Sequence, residues 1–457
     1  MSCMKTHTFK GGIHPPEQKE LSENYPIENV MPSTNTVCIP VTMGGAPNQP
    51  IVNVGDIVAR GQIIAKNDAF MSAPVHASVS GVVKKIETRV LTGNCEAPCI
   101  VIEANGSDTT SFMEPLDPFT CSKEEALKRV KEAGIVGMGG AAFPTHVKLN
   151  PPPGKEIEYV LANAAECEPY LTIDDRTITE KADQVIDGTR IAMQILDAPK
   201  GIICLEDNKT KLIPILCDAI NKAYGNNATR PDGTGNAITI CVCQAKYPQG
   251  GEKNLVLSAL NREIPSGGLP ADIGCVIQNV GTLVAISEAF RIGKPLIDRC
   301  LTISGGAVET AKNLCVPVGT LVGDLIPEII KLKEGVAKII SGGPMMGFAM
   351  PNAAFPIAKN TSGVLFLTKN ETHLVDEDPC IGCGMCLDVC SCRLNPVLIA
   401  RSLKANNIPM AVKYGLLDCV DCGTCAYVCP AHVRLVQRFR IGKCICRSQT
   451  ATKQGGK

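Results

Sequence analysis

The chain carries no excess of charge: across 457 residues, 45 Lys and Arg balance 45 Asp and Glu, with an isoelectric point near 6.9. Only residues 434–447 and the last few positions are locally basic. A nucleic-acid or other polyanionic partner is not expected, because such surfaces concentrate positive charge. Long apolar runs are lacking too. No stretch of eighteen apolar residues occurs, and the longest candidate, residues 321–332, is broken by Asp324, Pro327 and Glu328, so no spanning helix is expected. Histidine is scarce, with six in all, and no Ser-His-Asp or Cys-His dyad can be inferred from them. No signal peptide is recognised.

Cysteine is abundant instead. Without a secretory leader, 24 Cys point to a reducing compartment rather than a disulfide scaffold. Many are scattered singly or in pairs, such as Cys241 and Cys243 in an Ile-Thr-Ile-Cys-Val-Cys strand pattern, where a thiol acts as a small apolar side chain. Eight are organised. Cys380, Cys383, Cys386 and Cys390 follow C-x2-C-x2-C-x3-C, and Cys419, Cys422, Cys425 and Cys429 repeat it, closing on Pro430.

Two such runs are the ligand pattern of a pair of [4Fe–4S] clusters, with the fourth Cys of each run usually completing the neighbouring cluster. Zinc is the alternative, but zinc modules present separated pairs rather than four Cys in this rhythm twice. The first run ends Cys390-Ser391-Cys392 without a proline, so Cys392 competes as a ligand; the spacing favours Cys390. Between the runs, residues 396–405 begin with Pro and place apolar residues on one face, which predicts a helix separating the clusters. Such a chain moves single electrons.

The length and the spread of 42 Gly and 32 Pro predict several compact units. Residues 51–87 alternate in short strands punctuated by Gly55, Gly61, Pro74 and Gly81, a small β-sandwich pattern. It resembles the biotinyl/lipoyl-carrier fold, yet the tip, Lys66-Asn-Asp-Ala-Phe-Met-Ser72, has no central lysine, so a structural or docking role is expected. His76 there reads as a surface or half-buried residue. Residues 123–133 have helical periodicity and lead into Gly134-Ile-Val-Gly-Met-Gly-Gly-Ala-Ala-Phe-Pro-Thr145, a loop whose glycines let backbone amides approach a phosphate or a flat ring. It lacks the third glycine of the dinucleotide fingerprint. A buried-strand run at 159–165 opens into Glu166-Cys-Glu-Pro-Tyr170, and Tyr247-Pro-Gln-Gly-Gly-Glu-Lys253 and Ile277-Gln-Asn-Val-Gly-Thr282 follow.

These four segments, in this order, resemble the flavin- and NADH-binding core of the complex I flavoprotein subunit. The likeness tightens to the RnfC family, the electron-input subunit of the Rnf complex, an ion-translocating ferredoxin:NAD oxidoreductase. Its marks are Phe9-Lys-Gly-Gly-Ile-His-Pro-Pro16, the glycine loop, Asn163-Ala-Ala-Glu-Cys-Glu-Pro-Tyr170, Tyr247-Pro-Gln-Gly-Gly, Pro265-Ser-Gly-Gly, Gly342-Gly-Pro-Met-Met-Gly347 and both cysteine runs, over residues 9–443.

The resemblance implies a multidomain α/β and α+β fold. Its parts would be an extended segment at 1–30, a lipoyl-like barrel-sandwich at 31–110, an FMN/NADH-binding α/β core at 120–295 and a β-grasp unit at 296–350. A connection at 351–370 that carries a short strand, Gly363–Thr368, a helical two-cluster domain at 371–445 and a tail at 446–457 would follow. It also implies that Gly137, Gly139, Gly140 and Lys148 line the FMN phosphate and ring, with Asn163, Glu166, Tyr247, Gly250, Asn279 and Thr282 completing the shell. Phe143 would stack on the NADH adenine, and Glu168 and Glu252 would lie near the nicotinamide and its ribose. Where complex I has an acidic residue after Asn-Ala this chain has Ala164-Ala165, and a paired Glu is reduced to Gly251-Glu252; local hydrogen bonding to the flavin would differ. Cys167 reads as a small neighbour of the flavin, since hydride transfer needs no covalent attack.

The function implied is that of a peripheral subunit on the cytoplasmic face of the cell membrane. It would exchange hydride between NAD(H) and FMN and pass electrons through two clusters, toward ferredoxin, by way of the other Rnf subunits. Two alternatives stand beside it: a soluble cobalamin-reducing flavoprotein with iron–sulfur clusters, and a flavin-free ferredoxin-like adaptor. The match of residues 9–105 to the Rnf family argues against the former.

Overall fold

Four apolar runs, Tyr159–Ala164, Lys200–Glu206, Ile238–Cys243 and Cys275–Asn279, form an all-parallel sheet. The computed structural model describes residues 6–455 apart from 33, 225–236 and 373–374, with side chains to residue 449. Such a sheet must be covered on both faces. Along the first strand Val160, Ala162 and Ala164 face one core, while Leu161 faces the other. Helices Ile173–Leu196 and Val280–Arg291 cover the first face so closely that a Cβ at Gly188 would lie 2.0 Å from the Leu283 carbonyl. Helix Glu252–Leu260 covers the second face, where Cys204, Cys241, Cys243 and Cys275 fill the core as small apolar groups. The first strand lies inside the sheet, the second and third lie to one side and the fourth to the other. The strand order therefore reverses between the first and fourth strands, and ligand crevices of open α/β sheets open at that place.

The N-terminal unit is a sandwich of a four-stranded and a three-stranded sheet around Val37, Ile39, Ile64, Val83, Ile100 and Ile102. His76, expected at or near the surface, is only 4% exposed and sits beside Lys359; burial, then that cation, pushes its imidazole down to about 3. Lys359 itself donates to the carbonyls of Pro74 and Gly134, at 3.0 and 2.7 Å, and so joins the sandwich to the start of the glycine loop.

A six-stranded sheet follows, in the order Ile27–Asn29, Lys312–Pro317, Asp298–Ser304, Gly363–Thr368, Val336–Ser341, Phe348–Met350. Two expectations are corrected here. Residues 351–370 are more than a connection: Gly363–Thr368 lies between two other strands, and its apolar run is buried through Leu367 because both faces are covered. Residues 1–30 are more than an extended lead, since Ile27–Asn29 pairs in parallel with Lys312–Pro317. The cluster unit is helical. Helix Pro396–Lys404 starts where the sequence predicted it, with Asn395 accepting from Leu398 N, and it packs with Phe439 of the C-terminal helix around Leu416.

The N-terminal segment is also anchored by charge. Lys19, 7% exposed, donates to the carbonyls of Glu166, Glu168 and Leu171 at 2.7, 3.1 and 2.6 Å. Replacing Lys19 by Ala would orphan three carbonyls under the 166–171 loop, at about 1–3 kcal/mol per group. We expect amide protection across residues 163–175 to fall by about 3 kcal/mol in native-state hydrogen exchange, with the cluster unit unaffected. Parental protection there would show that the strap does not hold the loop.

Candidate functional site

The crevice is built where the first and fourth strands end. Asn163 and Asn279 are register partners at those ends, and each side chain is engaged. Asn163 Nδ2 donates to Gly250 O at 2.8 Å, while its Oδ1 accepts from Ala165 N. Asn279 caps helix Val280–Arg291 by accepting from Gly281 N and donates from Nδ2 to Asp174 at 2.8 Å. The glycine loop docks on the same helix start, with Met138 N donating to Thr282 Oγ1 at 3.0 Å. A Cβ at Gly139 would approach Asn279 Cβ at 3.1 Å, whereas one at Gly140 would meet nothing within 4 Å. The loop is thus close to the sheet at Gly139 and open at Gly140. Arg299, buried in the six-stranded sheet, holds it from behind through Met138 O and Thr361 O.

The predicted shell residues separate by role. Gly137, Gly139, Gly140, Asn163, Gly250, Asn279 and Thr282 are brought together around the strand ends. Phe143 is exposed on the loop. Lys148 follows on the short helix Thr145–Lys148 and pairs with Glu252 at 2.5 Å. Glu166 is 5% exposed and fully engaged: one oxygen accepts from Asp174 N, the other pairs with Lys209 at 2.5 Å. Glu168 accepts from Met345 N and Met346 N at 3.0 and 2.9 Å, so its carboxylate clasps the Gly-Gly-Pro-Met-Met-Gly loop. Burial pushes Glu168 up to about 7 against the pull of those amides, and burial with the nearby Glu166 charge pushes Asp174 up to about 6. Cys167 accepts from Gly250 N at 3.3 Å, and burial raises its thiol far above the reactive range.

Residues that carry no motif of their own complete the surroundings. Lys209 and Lys19 lie beneath the crevice, Asp174 holds Asn279, and Asn360 donates to Gly140 O at 2.9 Å. The Gly342-Gly-Pro-Met-Met-Gly347 motif is visible in sequence; that it meets Glu168 is not.

Tyr247 links this crevice to the cysteine runs. It is 1% exposed, and its hydroxyl donates to Cys422 O at 2.7 Å. Its backbone exchanges two 2.8 Å hydrogen bonds with Ile13, and Gly12 N donates to Val389 O. The Phe9–Pro16 motif therefore runs between the Tyr247 turn and the first cysteine run. Gly11 and Gly12 have φ of 85° and 82°, and a Cβ would lie 3.0 Å from Cys390 O at Gly11 and 2.8 Å from Tyr247 O at Gly12, which explains the paired glycines.

Behind Tyr247 lies a pocket lined by Cys390, Cys419, Cys422 and Cys425, with Ile399, Val436 and Phe439 supplying an apolar wall. Three thiols come from the second run and the fourth from the first. The soft donor set in an apolar shell suits an iron–sulfur cluster. Cys392 also borders the pocket. Cys386 has Cys429, Cys383 and Cys380 as charge neighbours, the reciprocal set. Leu394 N donates to Cys390 Sγ at 3.3 Å and Val433 N to Cys429 Sγ at 3.4 Å, the same local bond in both runs.

Residues 7–107 match the RnfC barrel sandwich hybrid domain, residues 130–288 the Nuo51 FMN-binding domain and residues 379–433 a 4Fe-4S dicluster domain. The C subunit of the proton-translocating ferredoxin:NAD(+) oxidoreductase complex of Clostridium ljungdahlii is 46% identical over 440 residues, 95% of this chain and 93% of that one. The corresponding subunit of the Na(+)-translocating complex of Acetobacterium woodii is 40% identical over 443 residues, 96% and 97% of the two chains. Among solved structures, the NAD+-reducing [NiFe]-hydrogenase in the H2-reduced state superposes with a TM-score of 0.53 at 20% identity, covering 71% of this chain and 63% of that one, which shows a shared fold. Identity of 40% or more to both of these subunits over nearly the whole length places this chain in the family of C subunits of ion-translocating ferredoxin:NAD(+) oxidoreductase (Rnf) complexes.

Proposed function

We propose that this chain exchanges electrons with NAD(H) through FMN and passes them singly through two [4Fe–4S] clusters toward the ferredoxin side of an ion-translocating membrane complex. The Tyr247–Cys422 hydrogen bond carries this reading, because one buried side chain belongs both to the crevice and to the cysteine pocket. FMN, when bound, supplies the conversion between two-electron hydride chemistry and one-electron carriers.

The chain's own residues provide binding and orientation. Gly137, Gly139 and Gly140 let backbone amides approach the phosphate and ring, and Lys148 adds positive charge beside Glu252. Asn163, Gly250, Asn279 and Thr282 hold the strand-end segments in one arrangement, and Tyr247 closes the side toward Cys422. Glu166 acts from beneath, as the anion on which Lys209 and Lys19 converge. Phe143 takes the adenine of NAD(H), and Glu168 and Glu252 border the nicotinamide end. Cys419, Cys422, Cys425 and Cys390 hold one cluster; Cys380, Cys383, Cys386 and Cys429 hold the other.

No helix among the described residues is long and apolar enough to cross a membrane. We place the chain peripherally, at the cytoplasmic face, held by the other subunits. On the same reading the N-terminal sandwich is lipoyl-like and the strands from residue 296 onward are of β-grasp type. Anaerobic purification with iron, sulfide and flavin assays tests the reading directly, with about eight irons and one FMN expected per chain. A brown preparation without flavin, which NADH does not reduce, would favour the adaptor.

Two sets of variants test the parts. Gly139→Val forces a branched side chain against Asn279, so FMN retention should be lost while both cluster signals survive; full flavin occupancy would refute the loop assignment. For the crossed ligation, Cys390→Ser and Cys422→Ala should remove the same EPR signal, and Cys429→Ser and Cys383→Ala the other. If Cys390→Ser instead abolishes the signal lost in Cys383→Ala, each run holds its own cluster.

A further inference from the structure

The tip of the N-terminal sandwich has no central lysine to carry a swinging group. It presents Phe70 and Met71 instead, 59% and 44% exposed. Its backbone is nevertheless held firmly against the glycine loop. Ala46 N donates to Met71 O at 2.6 Å, His146 Nε2 is 2.9 Å from Phe70 O, and the Phe70 and His146 rings meet edge-on at 6.1 Å. A Cβ at Gly44 would lie 1.9 Å from Ala142 O, and one at Gly45 would lie 3.0 Å from Pro144 Cγ and 2.2 Å from Met71 O. The tip is therefore seated on residues 142–146, the stretch that carries Phe143, itself 41% exposed.

A fixed backbone under an exposed aromatic face is what a stacking platform needs, because little conformational freedom remains to be lost when a flat ligand arrives. Exposed apolar groups from two separate units border one loop here. On the reading above, the adenine of the dinucleotide lies against Phe143 on that loop. We propose that Phe70 and Met71 form a second apolar wall of the dinucleotide site, so that the sandwich unit takes part in holding the adenine of NAD(H). Methionine beside an aromatic suits this role, since its thioether adapts to a ring edge. The proposal rests on the FMN- and NAD(H)-binding reading above.

The test compares Phe70→Ala and Phe143→Ala in the purified chain with its cofactors, using NADH and reduced nicotinamide mononucleotide, which lacks adenine. Phe70→Ala should raise KM for NADH about tenfold and leave KM for the mononucleotide, FMN content and cluster spectra unchanged, with Phe70→Tyr restoring the parental value. Met71→Gln should act in the same direction, about two- to threefold, and serves as the test should Phe70→Ala lose flavin. An unchanged KM for NADH in Phe70→Ala, while Phe143→Ala raises it, would overturn the second wall and leave the dinucleotide site standing. Equal effects on both substrates would overturn the adenine assignment. If the parental flavin is not reduced by NADH at all, the underlying reading fails, and this proposal with it.

Discussion

Two buried ammonium groups converge on one carboxylate, and the crevice is built over that convergence. Lys209 pairs with Glu166 at 2.5 Å and lies 3.6 Å from Asp175, while Lys19 reaches Glu166 at 3.9 Å and binds the carbonyls of the loop that follows. Each desolvated charge is costly alone, and burying ions gains little net stability. What this network supplies is position. It ties the N-terminal segment, the end of the second strand and the 166–175 segment into one arrangement, which fixes Asp174 and through it Asn279. Burial pushes the Glu206 carboxyl in the same region up to about 7, against the pull of Lys19 and Lys209.

The separate units are joined by a few long side chains that satisfy backbone carbonyls. Arg299 reaches from the six-stranded sheet to Met138, Lys359 reaches Pro74 and Gly134, and Tyr247 reaches Cys422. For Arg299 and Lys359 the carbonyls are buried, and each without a donor would cost about 1–3 kcal/mol, so these joints resist opening. This matters for electron transfer, which needs the carriers held at fixed separations across unit boundaries. The glycine loop is contacted from three sides, by the sandwich tip, the six-stranded sheet and the helix at Val280.

Much of the chemistry was legible along the chain. The cysteine spacing named the clusters, since ligand geometry at one centre demands a local rhythm. The first parallel strand was legible as a buried-strand run, and the interrun helix as Pro396 followed by an apolar face. Less legible was the fate of short segments. Gly363–Thr368 reads as an isolated strand in a linker, but hydrogen bonding with two partners distant in sequence makes it central. His76 reads as a surface or half-buried residue because nothing local reveals that Lys359, far along the chain, packs against it.

The sequence by itself determined the donor types and their order: thiols in two runs, glycines where backbone must come close, and carboxylates after the first strand. Tertiary structure decided which of these meet one another. Glu166 and Glu168 stand on either side of Cys167 and are indistinguishable in one dimension. The fold gives the first to two lysines and the second to a loop from another sheet. Cys390 likewise belongs by spacing to the first run and by position to a pocket lined by the second. Local spacing constrains which atoms can meet within one turn, whereas partners across a sheet or between units are chosen by packing and by the need to satisfy every buried polar group.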